Sequence, residues 1–279
     1  MAKPKLSAIM PVKDREDLIG MAINSVLKQT FQNWELIIIN DHSTDNTEKI
    51  IKQYSDPRIK LFNQTKDKHG IAAARNLAVD KSQADIIVPT DSDDYNYPQR
   101  FQKIVDYFEK HPDTDLYYGR IELYYIDTKK TVLRYHQEYK SELLRYINFV
   151  PQPAVAYKKS TFLELGKYNE TLEVSEDYDL WLRMSEKNKK FGSEDEIVVK
   201  LTKHPGSVRA KDVKGHKSVL EVVREKHNIH IRDLKIERFK ELANPEVFDF
   251  YTEPQRIKLW FGEKAEFNPD LKKYKTYQI

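Results

Sequence analysis

The 279-residue sequence contains no cysteine, which excludes disulfide bridges and thiolate metal sites. It has no stretch near the roughly 18 consecutive apolar residues that a membrane-spanning helix needs. The residues Met1–Lys5 run directly into a strand-like apolar pattern, so we expect no signal peptide. The sequence shows no internal repeat and no low-complexity segment. These absences favour a folded, disulfide-free chain and permit a location in the cytoplasm.

The charge balance gives no support to nucleic-acid binding. The sequence holds 47 Lys and Arg against 44 Asp and Glu, for a net charge of +3. The excess lies at the C-terminal end, where residues from Lys200 onward include 18 basic and 12 acidic side chains. A net charge this small lacks the strongly basic character of nucleic-acid-binding domains. The mildly basic end suits an anionic membrane surface or an anionic acceptor, and an ordinary solvated face explains it as well.

Strand and helix patterns alternate over the first 110 residues. Apolar runs predict strands at 6–12, 34–39, 58–62 and 84–89. Apolar residues at helical spacing predict helices at 16–29, 44–54, 70–79 and 98–110. This alternation predicts βαβ units and a parallel sheet. A less regular second half has strand patterns at 115–126, 131–135, 154–157 and 197–201, and helix patterns at 160–166, 176–187, 214–227 and 232–242.

Carboxylates follow several of the predicted strands. The apolar run 86–89 ends in an acidic turn that contains Asp91 and Asp93, and two other strands are followed by Asp14 and Asp41. In open α/β sheets, ligands bind beyond the carboxyl ends of the strands. Carboxylates this close together repel one another unless a hard cation such as Mg²⁺ or Mn²⁺ lies among them. The pattern therefore predicts a ligand and metal site, and its alternative is a solvated acidic turn that opens the next helix.

Six segments of the sequence, taken in order, resemble the motifs of family 2 glycosyltransferases. These segments are Ser7–Arg15, Ile38–Asp45, Gly70–Asn76, Asp91–Asp94, Ser175–Arg183 and Lys203–Val208. The resemblance implies the α/β GT-A fold, a Rossmann-like mixed sheet flanked by helices. It covers residues 6–208, so we expect a GT-A domain over 1–208, with a nucleotide-sugar half at 1–110 and an acceptor half at 111–208. Residues 209–279 are expected to form a mostly helical, basic C-terminal extension.

The resemblance implies an inverting, metal-dependent enzyme that moves a sugar from a nucleotide-diphosphate donor to an acceptor hydroxyl. A UDP-sugar is the favoured donor, and the acceptor is a glycan, a lipid-linked sugar or another hydroxyl compound. A divalent metal, Mn²⁺ or Mg²⁺, would stabilise the leaving diphosphate as a Lewis acid. By the same resemblance, Asp93 is the expected direct ligand of the metal and His204 a further ligand. Related soluble enzymes build surface polysaccharide from the cytoplasmic side of the membrane.

The resemblance also implies seven residues of the nucleotide-sugar site: Pro11, Val12, Asp14, Asp41, Arg75, Asp91 and Ser92. Asp91 is expected to accept hydrogen bonds from the ribose. Asp41 is expected to accept one from N3–H of uracil or thymine, and its alternative role is to cap the helix that begins near Thr44. Arg75 is expected to donate to the diphosphate, and its alternative role is a surface salt bridge.

Asp177 is the expected general base, by resemblance to the Glu-Asp motif of the family. A base must lie within hydrogen-bond reach of the acceptor hydroxyl and be ionised at the working pH. Adjacent side chains on a helix point about 100° apart, so Glu176 and Asp177 cannot serve equally well. We take Asp177 as the base and Glu176 as the reserve. The alternative is an acidic helix N-terminus that only complements the helix dipole.

Other functions are less well supported by the sequence. A nucleotidyltransferase would need a Gly-rich phosphate loop, and the stretch Met10–Asp14 contains no glycine. A silent sugar-nucleotide or glycan-binding module would not need all of Asp91, Asp93, Asp177 and His204. The C-terminal extension, with Tyr251, Trp260 and Phe261, can dock on the inner face of a membrane, on a second subunit or on its own domain.

Overall fold

The computed structural model describes residues 3–204, 222–229 and 236–252. Its strands are β1 (Leu6–Val12), β2 (Trp34–Asn40), β3 (Ile59–Asn63), β4 (Ile86–Pro89), β5 (Tyr95–Asn96), β6 (Leu116–Tyr125), β7 (Lys130–Leu133), β8 (Val155–Lys158) and β9 (Phe191–Lys203). Its first helices are α1 (Ile19–Leu27), α2 (Thr47–Ile51), α3 (Ile71–Lys81), α4 (Arg100–Lys110) and α5 (Ser141–Tyr146). They are followed by α6 (Lys159–Glu164), α7 (Glu176–Glu186), α8 (Ile236–Leu242) and α9 (Pro245–Thr252), and residues 222–226 are also helical.

The strands form one mixed sheet in the order β3-β2-β1-β4-β8-β6-β9-β5, with β7 paired to the outer part of β6. The four strands from β3 to β4 are parallel, as the alternating pattern predicts. β8 is antiparallel to both β4 and β6, and β9 runs parallel to β6. The sheet is therefore parallel in the first half of the chain and mixed in the second half.

Two hydrophobic layers enclose the sheet. Every residue of β1 and β2 is buried, because helices cover both faces of these central strands. On one face, α1 and α4 pack through residues such as Ile23 and Phe101. On the other face, α3 lies close to β1 and β2, since its alanines place little bulk between helix and sheet. The helix α7 contributes Trp181, which is fully buried, to that second layer.

Two strands differ from the sequence expectation. The predicted strand at 197–201 is the second part of the longer strand β9, which begins at Phe191. Its first part reads poorly as a strand because acidic residues at 194–196 interrupt the apolar pattern. The two-residue strand β5 is held by pairing with β9, and a strand this short leaves no periodic signal in the sequence. This pairing, and the hydrogen bond from the N–H of Thr202 to Asp94, place the second part of β9 beside the acidic turn that follows β4.

The described part of the C-terminal extension packs on the helix α7. Asp179 is fully buried in α7 and pairs with Arg183 one turn later, at 2.7 Å. It also pairs with Lys226 and with Nε2 of His227, which lies 3.3 Å away. Nδ1 of His227 contacts Glu186 at 2.7 Å. Ion pairs and buried apolar side chains therefore attach residues 222–229 to the helix that carries Glu176 and Asp177.

The predicted helices at 214–227 and 232–242 end within described segments, at the helical residues 222–226 and at α8. Their first residues lie outside the described ranges. Trp260 and Phe261 also lie outside them, so the expectation of membrane or subunit docking stays a prediction. Over residues 3–204, 222–229 and 236–252, no helix has both the length and the apolar character to cross a bilayer.

We predict that the contribution of His227 to stability depends on pH. Burial opposes the charged imidazole, but hydrogen bonds to Asp179 and Glu186 raise the pKa of His227 above its ordinary 6.5. Lys226 and Arg183 face the same carboxylate. A raised pKa means that the extra stability is complete below the unfolded pKa and is lost as pH rises through the folded pKa.

The change to test is His227→Gln, which should lower the free energy of unfolding by about 1–2 kcal/mol at pH 6. Urea unfolding at pH 6 and pH 8.5 gives the measurement. The difference between wild type and variant should be larger at pH 6. An equal difference at both pH values would contradict a charged His227.

Candidate active site

The loops after β1, β2 and β4 meet at one edge of the sheet. Because the three strands are parallel neighbours, their carboxyl ends lie side by side. Oδ1 of Asp14 accepts a hydrogen bond from the backbone N–H of Thr44 at 2.7 Å. The backbone N–H of Arg15 donates to Oγ1 of Thr47 at 2.7 Å. These bonds join the loops after β1 and β2. Asp14, one of the expected residues of the nucleotide-sugar site, therefore lies at this edge of the sheet.

Asp93 and His204, the two expected metal ligands, are in direct contact. Nε2 of His204 lies 3.0 Å from Oδ2 of Asp93, and both side chains are largely buried. Asp93 and His204 are 111 residues apart in the sequence. His204 directly follows β9, and this strand places it beside the acidic turn after β4. The same carboxylate oxygen accepts a hydrogen bond from Nε of Arg15 at 3.1 Å.

The pair fits a divalent metal such as Mn²⁺. Two ligand atoms on neighbouring positions of an octahedral ion with bonds near 2.1 Å lie about 3 Å apart. The 3.0 Å between the Asp93 oxygen and the His204 nitrogen matches that spacing. A carboxylate with an imidazole suits a transition metal better than Mg²⁺, which prefers oxygen ligands. Asp93 and His204 could therefore hold such a metal, and in the described structure the same two atoms are within hydrogen-bond distance of each other.

A buried ion cluster links the acidic turn to the helix α7. Nη2 of Arg75 donates to Oδ1 of Asp91 at 3.0 Å, and Nη1 donates to Oε1 of Glu176. The Arg75 side chain is 3% exposed, so the alternative of a surface salt bridge is wrong. Burial opposes the charge, but Asp91 and Glu176 raise the pKa of Arg75. The expected contact of Arg75 with the diphosphate stays a prediction, since both of its terminal nitrogens already bind carboxylates.

Glu176 and Asp177 lie in different surroundings. Burial raises the pKa of Glu176 to about 7. The nearby charge of Asp177 acts in the same direction, whereas the charge of Arg75 lowers this pKa. Asp177 forms no ion pair within the described residues, and its Oδ1 accepts a hydrogen bond from the N–H of Tyr178 at 2.8 Å. Its Oδ2 lies 3.4 Å from Nδ2 of Asn148. Glu176 is thus engaged by Arg75, whereas one oxygen of Asp177 has only a long contact.

Asp41 presents one oxygen that has no hydrogen-bond partner in the described part of the chain. The residue is 6% exposed, and its Oδ2 accepts a hydrogen bond from the N–H of Gly70 at 3.0 Å. Gly70 holds a φ of 94°, which a glycine adopts without strain, and this aims its N–H at the carboxylate. Oδ1 is buried, accepts no hydrogen bond from the described residues, and lies 3.9 Å from Nε2 of His42. The alternative role of Asp41 as a helix cap is wrong, because α2 begins at Thr47, whose N–H bonds to Asp45.

Two histidines beside Asp41 belong to the site and were not expected from the sequence. The rings of His42 and His69 lie 4.5 Å apart. Ligand atoms of these histidines and of Asp41 all lie within 4.8 Å of one another. His42 lies within the family-like segment Ile38–Asp45, and His69 directly precedes the segment Gly70–Asn76. These positions in the sequence could have indicated that both histidines lie near Asp41.

Arg100 is a further buried charge close to the acidic turn that the sequence did not reveal. It is fully buried and donates to the carbonyl oxygens of Pro89 and Val155 and to the side chain of Asn96. Burial lowers its pKa to about 10, and the nearby Asp91 acts in the opposite direction. An arginine at the start of a helix normally reads as a surface residue. Here it binds the carbonyl oxygen of the last residue of β4 and that of the first residue of β8, close to the acidic turn.

The remaining expected residues lie at or near the same edge. Pro11 and Val12 are the buried last residues of β1, and Ser92 is buried between Asp91 and Asp93. Tyr117 and Tyr118 in β6 and Tyr157 in β8 are almost completely buried and pack in the core. Gln152 is buried and donates to the hydroxyl of Tyr168 at 3.1 Å.

Comparison with known proteins places this geometry in one family. Residues 7–165, more than half of the chain, match the model of glycosyl transferase family 2. The chain is 32% identical over 200 residues to the putative glycosyltransferase EpsE of Bacillus subtilis, covering 66% of this chain and 67% of the relative. It is 45% identical over 89 residues to the UDP-Glc:alpha-D-GlcNAc-diphosphoundecaprenol beta-1,3-glucosyltransferase WfgD of Escherichia coli, covering 32% of this chain and 35% of that protein.

Solved structures share the architecture. S. aureus TarS 1–349 in complex with UDP-GlcNAc aligns with a TM-score of 0.64 and 18% identity, covering 92% of this chain and 78% of TarS. The mannosyltransferase PcManGT of Pyrobaculum calidifontis, in complex with GDP-Man and Mn²⁺, aligns with a TM-score of 0.56 and 17% identity. That alignment covers 88% of this chain and 67% of PcManGT. At these identities the likeness shows the fold alone.

We predict that Arg75→Met strongly destabilises the protein. The substitution leaves Asp91 and Glu176 buried without their shared cation, which should cost roughly 3–5 kcal/mol. Lys5→Met, which breaks an exposed ion pair with Glu109, is the matched control and should cost under about 1 kcal/mol. Urea unfolding of both variants gives the comparison.

Adding Glu176→Gln to the Arg75→Met variant should recover part of the lost stability, because one uncompensated charge is removed. If Arg75→Met costs no more than Lys5→Met, the ion cluster does not stabilise the fold.

Proposed function

The chain belongs to glycosyl transferase family 2 and is a glycosyltransferase of the GT-A fold, and on this premise we propose that it transfers a sugar from a UDP-sugar to an acceptor hydroxyl with inversion and with a divalent metal. One observation carries the proposal. Arg75 bridges Asp91 in the acidic turn and Glu176 in α7. The proposed metal ligands and the proposed base therefore flank one space at the carboxyl edge of the sheet.

The base of the donor is proposed to bind at Asp41. The buried Oδ1 can accept a hydrogen bond from N3–H of uracil, and the same geometry would accept thymine. Cytosine offers no N–H at this position, so it would leave the carboxylate oxygen unpaired. His42 and His69 border the same oxygen and offer flat rings beside the base. The UDP-GlcNAc bound to TarS and the UDP-Glc in the printed name of WfgD support a uridine donor.

The metal is proposed to bind Asp93 and His204, and Mn²⁺ is the favoured ion for this donor set. A bound divalent ion supplies Lewis-acid stabilisation of the negative charge that develops on the diphosphate. The complex of PcManGT with Mn²⁺ supports this choice. Asp91 accepts from Arg75 through Oδ1, and its second oxygen is proposed to bind the ribose. Asp93 would thus bind the metal, and Asp91 would bind the ribose.

Asp177 is proposed as the general base. The acceptor oxygen attacks C1 of the sugar, the bond from C1 to the diphosphate oxygen breaks, and its electron pair leaves with the diphosphate. The proton of the acceptor hydroxyl passes to Asp177, and attack opposite the leaving group inverts the configuration at C1. Glu176 holds Arg75 in place, which favours Asp177 for the base and leaves Glu176 a positioning role.

The acceptor is proposed to be a glycan or lipid-linked sugar of surface polysaccharide synthesis. The diphosphoundecaprenol acceptor in the printed name of WfgD supports the lipid-linked form. A lipid acceptor would bring the enzyme to the cytoplasmic face of the membrane. The basic C-terminal residues are the proposed contact with that face, and a homo-oligomer remains a second proposal for the same extension.

Nucleotide binding tests the donor site. In a thermal-shift panel with UDP, GDP, dTDP and CMP, we expect UDP with Mn²⁺ to raise the melting temperature most. A ligand that binds only the folded state stabilises it by about 2.7 kcal/mol at 100 times its Kd. Asp93→Asn should remove the part of the shift that depends on Mn²⁺. Absence of any shift in wild type would contradict the proposed nucleotide site.

Turnover tests the base. Asp177→Asn should lower kcat by about 10²–10⁴-fold with little change in the affinity for UDP, because the base acts only on the acceptor proton. Glu109→Gln, on the exposed face of α4, is the matched control and should turn over like wild type. Radiolabelled transfer and UDP binding are measured on the same preparations. Unchanged kcat in Asp177→Asn would reject this residue as the base.

A further inference from the structure

Arg15 contacts both the proposed metal ligand Asp93 and the backbone of its own turn. Its Nε donates to Oδ2 of Asp93 at 3.1 Å, the same oxygen that His204 contacts at 3.0 Å. Its Nη1 donates to the carbonyl oxygens of Lys13 at 3.2 Å and Asp14 at 3.0 Å. The side chain is 17% exposed, so the guanidinium lies in the site and is not directed into solvent.

The position of the Arg15 guanidinium matters because the proposed metal would bind the same oxygen of Asp93. A guanidinium and a divalent ion on one carboxylate oxygen repel each other, and the repulsion is strong where solvent is largely excluded. In the described structure, Arg15 is a positively charged partner of this Asp93 oxygen. When a metal takes that oxygen, the guanidinium has to move to another anionic partner.

A diphosphate bound to the same metal is such a partner. Arginine binds phosphate oxygens with paired, charge-assisted hydrogen bonds. Arg15 lies in the turn after β1, beside the expected nucleotide residues Val12 and Asp14, so a rotation of its side chain can redirect the guanidinium without moving the backbone. Its own N–H bond to Thr47 keeps that backbone in place.

We propose that Arg15 neutralises Asp93 in the metal-free enzyme and moves to the donor diphosphate when the metal binds. This inference rests on the proposed function, since it needs a metal at Asp93 and a diphosphate donor. Arg15 then opposes the metal alone and favours the metal together with the donor. The two effects have opposite signs, which separates this role from a purely structural one.

The test uses the variant Arg15→Gln in the full chain. Mn²⁺ binding is measured by electron paramagnetic resonance of the free ion, without nucleotide. Removing the competing cation should tighten Mn²⁺ binding about fivefold or more. UDP binding is then measured by calorimetry at saturating Mn²⁺, and losing the phosphate contact should weaken it about tenfold. Arg15→Lys keeps a cation and should lie between wild type and Arg15→Gln in both measurements.

Two controls separate charge and folding from the proposed exchange. Lys28→Gln removes one positive charge at the exposed far end of α1 and should leave both affinities unchanged. Melting temperatures of all variants show whether the turn after β1 remains folded. Asp93→Asn should lose Mn²⁺ binding whether or not Arg15 is present.

Each outcome of these measurements tests one part of the proposal. Equal Mn²⁺ affinity in wild type and Arg15→Gln overturns the exchange while the metal site stands. Tighter Mn²⁺ binding with unchanged UDP binding overturns the phosphate role and keeps the competition at Asp93. Absence of Mn²⁺ binding in both proteins, with or without UDP, overturns the proposed metal site and the inference with it.

Discussion

The buried contact of Arg75 with Asp91 and Glu176 is the interaction on which the site depends. One guanidinium satisfies two carboxylates that come from the turn after β4 and from the start of α7, 85 residues apart in the sequence. Without it, two negative charges would be buried close together, which is among the costliest arrangements in a protein. With it, the donor side and the acceptor side have a fixed relative position.

The site as a whole is a balance of buried charges around the acidic turn. Asp91 and Asp94 have raised pKa values, in each case mainly because burial penalises the charged form. Arginines approach from three directions: Arg75 from α3, Arg100 from below the strand ends, and Arg15 from the turn after β1. The proposed exchange at Asp93 follows from this balance, because a metal adds charge to a site that already holds its counterions.

The C-terminal extension has a part in this arrangement through α7. Asp179 lies three residues after Glu176 in α7 and is held by Lys226 and His227. The start of α7 is therefore held both by the ion cluster and by a segment that follows the family-like motifs. The helix that carries Asp177, the proposed base, is positioned by residues from both halves of the chain.

Local signals were enough to predict much of the fold. Continuous apolar runs in β1, β2 and β4 identified buried parallel strands. Asp14, Asp41 and the acidic turn were predicted to collect at one edge of the sheet, and they do so because parallel strands end together. The short strand β5 and the start of β9 were not predicted from the sequence, because pairing with other strands defines them and a local apolar pattern does not. The resemblance to a known family supplied the role of each motif.

The sequence by itself determined the fold class, the edge of the sheet at which the acidic residues collect and the residue types available there. Only the tertiary structure decided which charges are partners. Spacing along the chain could not reveal that Arg75 joins Asp91 to Glu176, that Arg15 shares Asp93 with His204, or that two histidines border Asp41. The physical reason is that ion pairing depends on distances in space and on burial, and both arise only when segments far apart in sequence pack together.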